Sequence, residues 1–205
     1  MGDGAVTLGA VAGFVLAYLL GSIDFAVLVA RSRGEDIYHM GSGNPGAANV
    51  LRNLGWRAAL PVMLGDMAKG AAAAALGAAL GGSEAAGWAA GFAAVIGHCF
   101  PIWHRFRGGK GVATAFGAAL WLQPLVGLAL VAIWAGLLAA TKVSSIGSLA
   151  AMAALLPILV AIDTPAAELV WAGAIVGLVV VRHAANIRGL LFGGVRTVRS
   201  DTRPP

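Results

Sequence analysis

Residues 104–148 read HRFRGGKGVATAFGAALWLQPLVGLALVAIWAGLLAATKVSSIGS. Arg105, Arg107 and Lys110 precede the run 112–140, which carries no charge, and Lys142 follows it. Loops rich in Lys and Arg stay on the cytoplasmic side of a membrane. Both ends of the run therefore belong on one side, and it must cross an even number of times. Gln123-Pro124 breaks it near its middle, and proline is a poor helix-interior residue. Two spans are predicted, 111–122 and 125–140. The first is short against a hydrocarbon core of about 30 Å, so the protein must bury its end or thin the bilayer there.

The same contrast runs through the whole chain. Of its 205 residues 59% are hydrophobic and 11% charged, with a mean hydropathy of +0.84. A soluble domain is about a quarter charged, so lipid is the natural solvent for this surface. Apolar runs lie near 5–30, 58–80, 85–103, 112–140, 146–162 and 165–181. Of fourteen Lys and Arg, thirteen fall in the long connectors 31–57, 104–111, 141–148 and 182–205. They are Arg31, Arg33, Arg52, Arg57, Arg105, Arg107, Lys110, Lys142, Arg182, Arg188, Arg196, Arg199 and Arg203; Lys69 alone sits in an apolar segment. The short connectors and the N-terminus hold or adjoin Asp3, Glu84, Asp163 and Glu168 and have no basic residue.

This pattern predicts an all-α integral membrane protein, one domain over 1–205. It would be a seven-helix transmembrane bundle with the N-terminus out and the C-terminus cytoplasmic. A count of six would leave a basic loop outside. The first run lacks a basic n-region and is too long for a signal peptide, so it reads as a retained span. The abundance of Ala and Gly suits close helix packing in lipid. The formal charge of +5 is explained by topology rather than by nucleic acid. The single cysteine, Cys99, allows no intramolecular disulfide.

Several polar segments fall on the basic side. Gly41-Ser42-Gly43-Asn44-Pro45-Gly46-Ala47-Ala48-Asn49-Val50-Leu51-Arg52 contains G-x-G-x-x-G, but not after a strand, so a dinucleotide site is a weak reading. Its glycines, Ser42, Asn44, Asn49 and Arg52 suit an anion, and equally a tight interfacial turn. Gly108-Gly109-Lys110-Gly111 is not a Walker A, yet it sets a lysine among glycines just before a helix, where phosphate is favoured. The alternative is a snorkelling lysine. Ser145 and Ser148 share a helical face, as do His183 and Asn186. Asp66 and Lys69, one turn apart in an apolar helix, are either functional or mutually neutralising.

These segments, with His98-x-x-Pro101, Phe106 and Thr114, occur in an order that resembles the acyl-phosphate:glycerol-3-phosphate acyltransferases, the PlsY family. The resemblance covers nearly the whole chain, from Gly21-Ser22-Ile23 to Leu191. It implies a multi-pass enzyme of the bacterial cell membrane with its active site on the cytoplasmic side. The enzyme would move a fatty acyl group from acyl phosphate to the 1-hydroxyl of glycerol 3-phosphate, giving lysophosphatidate and phosphate. By position, Ser42, Arg52, Lys110, Ser148, His183 and Asn186 match the family's active-site residues. Gly41, Gly43, Asn44, Asn49, Gly108, Gly109, Gly111 and Ser145 are the expected phosphate- or substrate-binding positions. Asp24, Ala48 and Ala185 depart from the family pattern. No cofactor or metal is expected, no nucleic-acid partner, and a monomer.

An acyl phosphate is already activated, so positioning and charge stabilisation suffice. That fits a sequence without G-x-S-x-G and with no aspartate at the right distance from His98 or His104 for a His-x4-Asp signature. Cys99, in an apolar helix, is a poor acyl-enzyme candidate. A phosphate or organic-anion transporter would use the same basic face. It would need inverted repeats and a polar path, and no internal repeat is visible.

Overall fold

The computed structural model describes residues 7–198, and every regular element there is helical. Asp3, Arg199 and Arg203, used above for orientation, lie outside the described residues. The α-helices are α1 Leu8–Gly21, α2 Phe25–Arg31, α3 Ala47–Leu54, α4 Trp56–Gly81, α5 Glu84–Cys99, α6 Val112–Leu122, α7 Pro124–Thr141, α8 Ser144–Ala161, α9 Ala166–Arg182 and α10 Ala184–Phe192. Short 3₁₀ turns cover Ile37–His39 and Ile102–His104.

The break between α6 and α7 falls where proline demands it. Pro124 starts α7 at a position needing no backbone donor. The first apolar run, by contrast, is two helices rather than one. The Asp24 carboxylate accepts the Val27 N–H at 3.1 Å and caps α2, while Ser22 ends α1. A broken helix inside a membrane leaves backbone carbonyls without partners, which is tolerated only where protein satisfies them. Lys69 does so: its ammonium donates to the Ile23 carbonyl at 2.6 Å. Lys69 also pairs with Asp66 at 2.8 Å and lies 3.0 Å from His98 Nδ1. Mutual neutralisation therefore describes only part of what Asp66 and Lys69 do.

Among the described residues, five helical segments are long and apolar enough to cross a membrane: Leu8–Arg31, Trp56–Gly81, Glu84–His104, Pro124–Thr141 and Ser144–Ala161. Ala166–Arg182 and Ala184–Phe192 together make a sixth, bent by 56°. α6 has 11 residues and extends roughly 16 Å, about half the hydrocarbon thickness. It survives in the middle of the bundle, buried from Thr114 to Ala119.

Glycines let α6 sit there. Gly117 lies against the Met67 carbonyl of α4, and Gly70 of α4 lies against the Thr114 carbonyl of α6. Around this crossing Trp88, Phe116, Met152, Leu155 and Ile175 form the largest apolar core. A methyl group at position 117 would overlap Met67 backbone, whereas one at Gly136 meets nothing within 4 Å. Gly117→Ala should therefore lower stability by about 2 kcal/mol, and Gly136→Ala should leave it unchanged. Thermal unfolding of the two purified variants in detergent checks the contrast; equal midpoints would contradict this packing.

Candidate active site

At one end of the bundle lies a cavity of about 580 Å³. Four helices begin at its wall. α3 contributes Ala47 and Ala48, α6 Val112 and Ala113, α8 Ser144 and Ser145, and α10 Ala185 and Asn186. Their N-caps are Gly46, Gly111, Val143 and His183, and no side chain caps any of them. Helix N-termini present N–H groups and the positive end of the dipole, so the space favours anions. Arg52, Lys110, Arg182 and Arg196 add four cationic side chains to the lining.

The cavity gathers Ser42, Arg52, Lys110, Ser148, His183 and Asn186, together with Asn44, Asn49, Gly111 and Ser145. Lys110 donates to the Asn186 side-chain carbonyl. Burial, then the charges of Arg52, Arg182 and Arg196, lower the Lys110 ammonium to about 8. Ser148 Oγ donates to the Ser144 carbonyl at 2.9 Å. His183 is buried, and its Nδ1 lies 2.8 Å from the Val179 carbonyl. A carbonyl can only accept, so Nδ1 carries hydrogen and a neutral ring keeps its lone pair on Nε2.

Gly41, Gly43, Gly108 and Gly109 are not in the lining. Their neighbours are protein. The Gly43 N–H donates to Met40 at 2.8 Å, and the Gly109 N–H donates to the His98 carbonyl at 3.0 Å. Arg182 ties the same turn from the other side, with Nε donating to Gly109 O at 3.1 Å and Nη2 to Gly108 O at 2.9 Å. A side chain at Gly109 would strike the His98 ring, and one at Gly108 the His98 backbone. These two glycines aim Lys110 by letting the turn press against α5. Gly111 does reach the cavity, at a φ of 84° that suits glycine. Asn49 is likewise occupied: its Oδ1 accepts the Ser42 N–H at 3.1 Å and its Nδ2 donates to Met40 O at 3.0 Å.

Sequence reasoning left five polar contributors out of the site: Asp66, His98, Ser144, Arg182 and Arg196. The signals were there for three of them: Arg182 adjoins His183, Asp66 is a carboxylate in an apolar helix, and His98 belongs to the His98-x-x-Pro101 motif. Met63, Phe116 and Trp134 give the cavity an apolar wall as well.

Comparison with known proteins agrees along nearly the full length. The glycerol-3-phosphate acyltransferase family model matches residues 11–193. The chain is 44% identical over 189 residues to a glycerol-3-phosphate acyltransferase of Thioalkalivibrio sulfidiphilus, covering 91% of this chain and 93% of the relative. It is 45% identical over 183 residues to one of Pseudomonas aeruginosa, covering 89% and 96%. A crystal structure of PlsY, an integral membrane glycerol 3-phosphate acyltransferase in its glycerol 3-phosphate form, superposes with a TM-score of 0.87 at 35% identity, over 92% of this chain and 94% of that one. The lysophosphatidic acid form of PlsY superposes with a TM-score of 0.85.

The Lys110 cation dominates below its value of about 8 and is lost above it. Inorganic phosphate does not lose charge as pH rises. Its affinity for the empty protein should therefore fall above pH 8, by up to about tenfold per pH unit. Lys110→Arg should flatten the profile. Calorimetric titration between about pH 7 and 9.5 measures both; an affinity that holds through pH 9.5 in the unsubstituted protein would show that the Lys110 charge does not bind phosphate.

Proposed function

The chain belongs to the glycerol-3-phosphate acyltransferase family, and from that membership we propose that it transfers a fatty acyl group from acyl phosphate to the 1-hydroxyl of glycerol 3-phosphate, yielding lysophosphatidate and phosphate. One observation carries the reading. A single cavity joins four cationic side chains and four helix N-termini to an apolar wall of Met63, Phe116 and Trp134. Both substrates carry a phosphate and one carries a fatty chain, so this is the environment the reaction needs.

In this reading Lys110 and the first turn of α6 hold one phosphate. Ser42 and Arg52 hold the other, with Ser148 beside them. Asn186 orients the attacking hydroxyl, and His183 Nε2 accepts its proton. The new ester C–O bond forms at the acyl carbon and the anhydride C–O bond breaks. Phosphate departs with the electron pair and receives the proton from His183. Electrostatic positioning does most of the work, since the leaving group is good. No step requires a metal.

The protein is a multi-pass membrane protein by its helices and its relatives. We assign it seven crossings, counting the short α6 and taking the bent α9–α10 pair as one. The N-terminus is placed outside, and the cavity with the basic loops on the cytoplasmic side of a bacterial cell membrane. The chain acts as a monomer in this assignment. An impermeant maleimide applied to intact cells should label Glu84→Cys and spare Arg33→Cys, both in a Cys99→Ala background. The reverse pattern would invert the topology.

The activity is tested with detergent-solubilised protein given acyl phosphate and glycerol 3-phosphate. Lysophosphatidate should appear without a sealed membrane, and a chelator should not slow it. Lys110→Ala should lower kcat/KM by about a thousandfold with the thermal midpoint retained. A transporter would form no product in this assay. Normal turnover by Lys110→Ala would remove the lysine from its role.

A further inference from the structure

A second concavity, of about 260 Å³, opens on the loop that ends in Lys110. It is lined by Arg31, Tyr38, Trp103, His104, Arg105 and Arg107. The acyl-transfer reading makes no use of it. Three arginines face a small groove whose other walls are two aromatic rings and an imidazole. Arg107 stacks over the Tyr38 ring at 5.0 Å, and the Tyr38 hydroxyl donates to the Arg107 carbonyl at 2.8 Å, so the two sides of the groove are fastened together. The nearby Asp36 carboxylate lies 2.7 Å from His39 Nδ1 and, of the three groove arginines, interacts electrostatically with Arg31.

The groove's rim is apolar. Trp103 is 62% exposed and Phe106 58%, with Ile102 exposed beside them. In water that patch would be a liability. In a bilayer, aromatic and basic side chains of this kind settle at the headgroup level. Arg105 and Phe106 both hold left-handed backbone, at φ 53° and 60°, which non-glycine residues rarely adopt. Such strain persists only where surroundings impose it, and it is common at ligand clamps. Basic residues that merely orient a protein in the membrane need no groove and no strained turn.

We propose that this groove holds the phosphate of an anionic phospholipid, with Arg31, Arg105 and Arg107 around the headgroup and the acyl chains lying along Ile102, Trp103 and Phe106. The bound lipid packs on the turn leading through Gly108 and Gly109 to Lys110, so it braces the loop that presents the lysine to the first cavity. A free phosphate shares the headgroup's chemistry but has no use for the aromatic rim. An acidic protein surface would meet the arginines but not a groove of this size.

Lipid retention at this groove is read by mass rather than by turnover, so its outcome is independent of acyl transfer. Full-length protein is extracted in mild detergent, mixed with equimolar phosphatidylglycerol and phosphatidylcholine, and weighed by native mass spectrometry. The unsubstituted protein should keep one phosphatidylglycerol with a preference of about tenfold or more. Arg31→Gln/Arg107→Gln should lose the preference, and Trp103→Ala should weaken retention of either lipid while keeping the preference. Equal thermal midpoints confirm that the variants are folded. Equal retention of the two lipids by the unsubstituted protein, or an unchanged preference in the arginine variant, would overturn the site. Millimolar inorganic phosphate displacing phosphatidylglycerol as readily as excess phosphatidylglycerol does would reassign the groove to free phosphate and overturn the lipid.

Discussion

The ammonium of Lys69 sits where four chain segments meet. It is paired with Asp66 on its own helix, donates to the Ile23 carbonyl exposed by the α1–α2 break, and lies against His98 of α5. Asp24, which caps α2, is buried and interacts electrostatically with His98, Asp66 and Lys69. Two acids and two bases thus share a protein interior inside a membrane. Removing one partner from such a cluster costs about 3–5 kcal/mol, because it leaves the other charge buried without its partner. The cluster is therefore held as a unit, and it fixes how α1, α2, α4 and α5 sit relative to one another.

The consequences reach the cavity by a short physical route. His98 is fixed by Lys69 and Asp66 on one side of its ring, and its backbone carbonyl receives the Gly109 N–H. Arg182, stacked over Phe100 at 5.0 Å, grips the carbonyls of Gly108 and Gly109 from α9. The turn before Lys110 is thereby pinned from two helices that are far apart in sequence. A flexible lysine on a loose loop would lose much of its electrostatic benefit to reorganisation. Here the protein has ordered it before any ligand arrives.

Much of this was legible in the sequence, and the reasons differ by feature. The charge segregation and Pro124 located α4 to α9 to within a few residues, because lipid imposes a strict solvent rule on every spanning segment, whereas α10 falls in the stretch 182–205 that read as a connector. The α1–α2 break was not legible, since Ser22-Ile23-Asp24 is short and lies in an apolar run. Only its distant partner Lys69 makes the break stable. The six polar residues expected at the site do meet in one cavity. The glycines Gly41, Gly43, Gly108 and Gly109 do not face it, because a glycine needed for close approach looks the same whether the neighbour is phosphate or protein backbone. Arg182 and Arg196 read as orienting charges until the fold brought them to the cavity wall.

In the proposed reaction phosphate and a fatty chain share one site, and the short helix α6 is what gives that site its room. A helix of full length at this position would carry apolar side chains through the space that the cavity occupies. By starting at Val112, α6 leaves that space open, and Phe116, one turn further along, still lines it. The cavity therefore penetrates into the bundle beside a truncated helix instead of lying flat on its surface. Truncation leaves the N–H groups of the first turn at the cavity wall with no side-chain cap, which is unfavourable for a resting protein and favourable for an anion. The neighbouring starts of α3, α8 and α10 repeat the arrangement around the same space. The cost of the short helix is offset by the burial of its remaining length against Gly70 and Met67 of α4. An irregular element in the membrane is thus kept because it is enclosed by protein, and its irregularity creates the site.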